Sequence, residues 1–321
     1  MSAHRLARAL ALVSALALAG CEMPAPSQPP ESAGRAETGR APPSDRSQAL
    51  AAYYAQVQRD LRARGLMRTD GGGPDTPWTD TDLLRNFERI VFFDEYTPGA
   101  GFRRGNGEPV ALRKWVAPVS IGLEFGASVP AAQRDKDREM VSDYARRLAR
   151  ATRHRIEMSS AQRANFHVLV MSEDDRAEGI ARIRRLAPSI DARTLSVFRD
   201  MPRSIHCLVV AFSDRGNPHA YDRAIAWIRA EHPPLARRAC FHEELAQALG
   251  LADDSPRARP SIFNDDEEFA LLTRHDEALL RLLYHPELTP GMTLEQARPV
   301  LRRLIAEGRP GIDAGAPAGS S

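Results

Sequence analysis

The sequence predicts an α+β fold for most of its 321 residues. Three observations point there. Apolar residues make up 43% of the chain and charged residues 27%, which is enough apolar surface to offset the entropy of ordering one domain. Short β-branched or alternating apolar runs dominate the first part of the chain. Apolar residues at helical spacing dominate the last part, and strands followed by helices read as α+β. The 44 basic and 42 acidic residues leave a net charge of only +2, so no general attraction to phosphate exists and a nucleic-acid partner is not expected. No internal repeat is present.

In chain order, residues 1–20 read as a lipoprotein signal peptide. His4, Arg5 and Arg8 form a basic start, and an apolar run spans 9–19. That run is too short to cross a bilayer, which takes about 20 apolar residues, and suits a signal-peptide core. It ends Leu18-Ala19-Gly20-Cys21, which looks like a bacterial lipobox with Cys21 as the lipidated residue. The expected location is the bacterial cell envelope, at the periplasmic face, with the membrane as a partner through acyl chains. Residues 21–47 are rich in Pro, Ala and Ser and read as a flexible tether, and 309–321 as a disordered tail. Lipid consumes Cys21, leaving Cys207 and Cys240. In an oxidising compartment such a pair reads as a disulfide, the other reading being two buried thiols.

Residues 48–64 carry Leu50, Tyr53, Tyr54, Val57 and Leu61 on one helical face, and Gly71-Gly72-Gly73-Pro74 then breaks the chain. This helix and its linker, 48–77, are expected to sit apart from a main domain at 78–308. Residues 90–93 (Ile-Val-Phe-Phe) read as a strand, and 110–115 and 119–125 as extended segments. A helix is expected over 137–152, with Met140, Val141, Tyr144, Leu148 and Ala149 inward. A strand follows at 165–171, helices at 177–186 and 192–198, and a buried strand at 206–212. Residues 223–230 fit either a strand or a helical repeat. A helix over 235–249 is closed by Gly250, and two more span 273–284 and 293–306, with Thr273 and Thr293 as N-caps.

The informative stretch is Cys240-Phe-His-Glu-Glu-Leu-Ala-Gln-Ala-Leu-Gly-Leu-Ala-Asp253. On a helix, Phe241, Leu245, Ala248 and Leu249 share one side, while Glu243, Glu244 and Gln247 take the other. Side chains four apart on a helix can hold one metal ion together, and a solvated polar face is the alternative. His242 lies toward the apolar side. His275 reads as a capping or surface residue and His206 as a structural one. Asp253-Asp254 and residues 265–268 form acidic runs whose spacing does not fit an EF-hand. Gly99-Ala100-Gly101 and Gly105-Asn106-Gly107 lack the strand–loop–helix context of a phosphate loop, and no Gly-x-Ser-x-Gly elbow occurs.

With these residues in view, the chain resembles a family of bacterial lipoproteins that carry a domain of unknown function. Its helix also resembles the metzincin motif His-Glu-x-x-His-x-x-Gly-x-x-His/Asp when anchored on Gly250. Glu243 then takes the first ligand position, Glu244 the general-base position, Gln247 the second ligand position and Asp253 the third. Ser261-Ile262-Phe263-Asn264 stands where the methionine turn falls, with Phe263 in place of Met. The resemblance implies a zincin-like mixed sheet with an active-site helix and C-terminal helices. Both His ligands are missing, so it also implies a fold that binds a peptide or envelope protein without catalysis. The alternative is an atypical metal-dependent hydrolase with Glu244 as base and oxygen ligands from Glu243, Gln247 and Asp253. No cofactor is expected, and such an oxygen set suits Ca²⁺, Mg²⁺ or Mn²⁺ better than Zn²⁺.

Overall fold

The computed structural model describes residues 41–96, 103, 105–214, 216–264 and 266–308. The signal segment, Cys21, the tether up to residue 40, Gly99-Ala100-Gly101, Asp265 and the tail lie outside the described residues. The described chain runs α1 (Asp45–Ala63), α2 (Asp80–Val91), β1 (Lys114–Trp115), β2 (Val119–Phe125), α3 (Ala131–Thr152), β3 (Ile156–Ser159) and β4 (Phe166–Met171). It continues with α4 (Arg176–Leu186), α5 (Ala192–Arg199), β5 (Cys207–Asp214), β6 (Asn217–Arg229), α6 (Pro234–Gln247), α7 (Arg274–Leu283) and α8 (Leu294–Ala306). The fold is mixed α+β, but helices α3 to α5 interrupt the strands. Those three helices fall where the apolar spacing of 137–152, 177–186 and 192–198 predicts them.

The sheet order is β1-β6-β4-β2-β3, with β5 added beside β6. Every pairing is parallel except β5 with β6. Residues Ala224 to Ile228 of β6 pair with β4 and with β5. A strand has two edges, so β5 lies on the side of β6 away from β4. Among the described residues β5 pairs only with β6, which makes it an edge strand.

Both faces of the central strands are covered, which explains their nearly continuous apolar runs. Phe166, Val168, Val170, Ala224, Ala226 and Ile228 join the larger core with residues of α2, α3, α6, α7 and α8. Leu169, Met171, Ile225 and Trp227 point the other way, against Ile180 and Ile183 of α4 and Leu195 and Phe198 of α5. Each such side chain taken from water contributes roughly 1.5–3 kcal/mol.

Several local expectations change. Residues 90–91 end α2, and no strand forms at 90–93. Leu83, Phe87, Ile90 and Val91 are buried along one helical stripe, and Thr79 and Asp82 close a reciprocal capping box. Tertiary packing of that stripe outweighs the β-branched character of its last two residues. The segment 110–115 yields only the two residues of β1, and α3 starts at Ala131. The short strand β3 was not expected. Residues 223–229 resolve as the buried half of β6, and β5 is half-buried from Cys207 to Ser213 because one edge is open. Helix α1 packs on the other described elements, with the Ala236 N–H of α6 donating to Gln58 Oε1 at 2.9 Å. Its Tyr54 is 1% exposed, with its ring centroid 4.1 Å from that of His232.

Candidate functional site

Helix α6 is held on three sides before it presents any polar group. Phe241, Leu245, Ala248 and Leu249 are buried in the core, as their spacing predicts. Arg237 Nε donates to Asp137 of α3 at 3.0 Å, a buried ion pair. Cys240 is bonded to Cys207 of β5, so the predicted disulfide ties the helix to the edge strand. At its end, the Trp115 indole N–H donates to the Ala248 carbonyl at 2.8 Å. Gly250 follows at φ 121°, and a Cβ there would lie 2.5 Å from the Arg113 carbonyl oxygen. Only glycine fits both the backbone angle and that approach.

The opposite face of α6 does not point into open solvent. Glu243, Glu244 and Gln247 line a cavity of about 640 Å³. Its other walls come from α1 (Tyr54, Val57, Gln58, Leu61) and from every residue between Ser204 and Ser213. Alternate residues of a strand point to opposite faces, so lining by the whole run means that the cavity follows the open edge of β5. At one end Asp94 pairs with Arg113, with Tyr221 alongside. At the other, His232 Nε2 lies 2.9 Å from the His206 carbonyl oxygen. Burial lowers the His232 pKa to about 3, so the ring is neutral.

Glu244 is 3% exposed, and its Oε2 has no hydrogen-bond partner among the described residues. Burial, and then the negative charge of Glu95 and Asp254, push its pKa well above the usual carboxylate range. Burial does the same for Glu243, followed by the charge of Glu244 beside it. Gln247 Nε2 reaches toward Glu95 Oε2 at 3.5 Å. Glu95 and Asp94 were not singled out by sequence, and Asp254 only as part of an acidic run. They sit in loops with no periodic or motif signal.

Oxygen atoms of Glu243 and Glu244 come within 4.8 Å of each other and of Cys207 Sγ. That sulfur is committed to the disulfide and supplies no thiolate. Asp253 does not line the cavity, and its carboxylate is 2.7 Å from Arg89 of α2. Of the expected oxygen set, the structure therefore brings together Glu243 and Gln247 beside Glu244, while Asp253 turns elsewhere. A peptidase zinc ion is held by imidazoles, and none stands at these positions, so the residues present do not fit that ion.

Most of the remaining predicted residues are structural. His242 Nδ1 accepts from the Leu272 N–H at 3.0 Å, and its ring stacks on Tyr144 at 3.9 Å. His275 is neither a cap nor exposed. It is fully buried, 3.1 Å from Asn86 Nδ2 and edge-on to Trp78. Phe263 is a core residue, and Glu268 binds Arg259 at 2.5 Å. Glu267 lines the cavity. No described helix is long and apolar enough to cross a membrane.

Residues 80–303 match the family described as Protein of unknown function (DUF2927). The match begins at the first residue of α2 and ends within α8, so α1 lies outside it. No curated protein and no solved structure matches the chain.

Proposed function

We propose that this chain, which belongs to the DUF2927 family, is a lipid-anchored protein of the bacterial cell envelope whose metallopeptidase-like cleft holds an extended peptide or protein segment without hydrolysing it. The observation that carries this reading is the open edge of β5 running along the cavity. An edge strand presents unpaired main-chain N–H and C=O groups, and an extended peptide can add to it as a further strand. The zincin-like reading draws support from the chain order. Helix α6 follows the last parallel strand directly, and the antiparallel β5 borders the groove above it. Non-catalytic use is supported by the missing imidazoles and by the pairing of Asp253 with Arg89.

The test is titration of the full chain, purified in detergent, with a library of fluorescent extended peptides. Binding is expected, with peptides recovered intact by mass spectrometry. N-methylation of alternate peptide amides should weaken it at least about tenfold, because main-chain hydrogen bonds supply the affinity. Absence of binding across the library would refute the reading. Cleavage that disappears in Glu244→Gln would instead favour the hydrolase.

A further inference from the structure

We infer that the cleft selects peptides carrying a lysine or arginine side chain, whose cationic head seats against Glu244. This rests on the peptide-binding reading above and adds the chemical class of the ligand.

The buried carboxylate comes first. Glu244 lines the cavity at 3% exposure with Oε2 unpartnered. A carboxyl group buried without a partner is destabilising, and a ligand that donates to it recovers that loss. The charge of the walls is the second observation. Among the described residues the lining includes six acids (Asp94, Glu95, Asp191, Glu243, Glu244 and Glu267) and one Lys or Arg, Arg113, which is itself paired with Asp94. A cation brought among these acids favours the ionised form of the buried Glu244 carboxyl, which a neutral ligand does not.

The third observation is shape. The acidic floor adjoins an apolar wall of Val57, Leu61, Ala236 and Ala239. Lysine and arginine match that pairing, with an apolar stem ending in a charged donor. A bare divalent ion would use none of the apolar wall, and Ca²⁺ takes 6–8 oxygen ligands. Here Asp253 is engaged by Arg89 and Cys207 is in a disulfide. The cavity of about 640 Å³ also exceeds what one hydrated ion fills.

The experiment compares one N-acetylated peptide carrying lysine, arginine, norleucine or glutamate at a single position, bound to the full chain. Acetylation removes the terminal amine as a competing cation. Lysine and arginine should bind about 10- to 100-fold more tightly than norleucine, the range for a hydrogen bond to a charged group, and glutamate should be weakest. In Glu244→Gln, an isosteric change, the preference over norleucine should fall to about threefold or less. Equal binding of lysine and norleucine overturns the inference and leaves the peptide-binding reading standing. So does a preference that survives in Glu244→Gln. Stoichiometric Ca²⁺ or Mn²⁺ binding lost in Glu244→Gln, with no lysine preference, assigns the floor to a metal and overturns it too. If no peptide of the series binds, the peptide-binding reading falls and this inference with it.

Discussion

Asp276, in the first turn of α7, and Glu244, in α6, are both buried carboxylates, at 0% and 3% exposure. Their surroundings differ completely. Asp276 accepts from the Ser261 hydroxyl at 2.5 Å and from the backbone N–H groups of Ile262 at 3.1 Å and Thr273 at 2.9 Å. Glu244 Oε2 accepts from none of the described residues and faces a cavity with further acids around it. A buried acid surrounded by donors belongs to the architecture: it fixes the start of a helix and the loop before it. One left among other acids destabilises the fold unless a further group donates to it, and so contributes nothing to holding the architecture together.

The largest expected effect tests the satisfied member. Asp276→Ala strands three donors that the carboxylate now serves and should lower unfolding free energy by about 4 kcal/mol in denaturant titration. A loss under about 1 kcal/mol would mean that water substitutes for the acid, and the contrast with Glu244 would weaken. Next in size is the double change Cys207→Ala/Cys240→Ala. The bridge spans a sequence separation of 33, and its removal should cost about 3.7 kcal/mol on the chain-entropy account. If unchanged stability were measured under non-reducing conditions, the tie between β5 and α6 would not hold the acidic floor in place.

The smallest effect has the opposite sign. Glu244→Gln should raise stability at neutral pH by about 1 kcal/mol, because it removes an ionisable group that burial disfavours. The pH dependence follows from the raised folded-state pKa values of Glu244 and Glu243. Below the ordinary Glu pKa of about 4.3 both folded and unfolded chains are protonated, and the acids cost nothing. Above it the unfolded chain releases protons that the folded chain retains. Native stability therefore falls as pH rises, until the folded values are passed. The gain from Glu244→Gln should thus be largest near neutrality and vanish near pH 4. A variant less stable than the parent at neutral pH would show that Glu244 has donors after all.

Much of the site's floor was legible because helical periodicity acts within one element. The spacing of Phe241, Leu245, Ala248 and Leu249 placed the core face and left Glu243, Glu244 and Gln247 opposite it. Gly250 marked the end of the helix, and the two cysteines other than Cys21 suggested their own pairing. Asp253 shows the limit. Motif spacing put it beside the acids, but its loop runs along α2, where the Ile90 carbonyl accepts its N–H and Arg89 meets its carboxylate. His275 misled for the same reason, since its burial comes from Asn86 and Trp78, nearly 190 and 200 residues away in sequence. β3 escaped notice because only one of its four residues, Ile156, is fully buried.

Local chain chemistry was sufficient for which face of α1, α3 and α6 turns inward, where α6 stops and which side chains share its polar side. These depend on neighbours within a turn or two. Whether that polar side meets water or a cavity, and which acids from other loops gather around Glu244, depended on docking β5, α1 and the loop after α2 against α6. Such contacts join residues as far apart as Gln58 and Ala236, about 180 positions, and no local pattern encodes them.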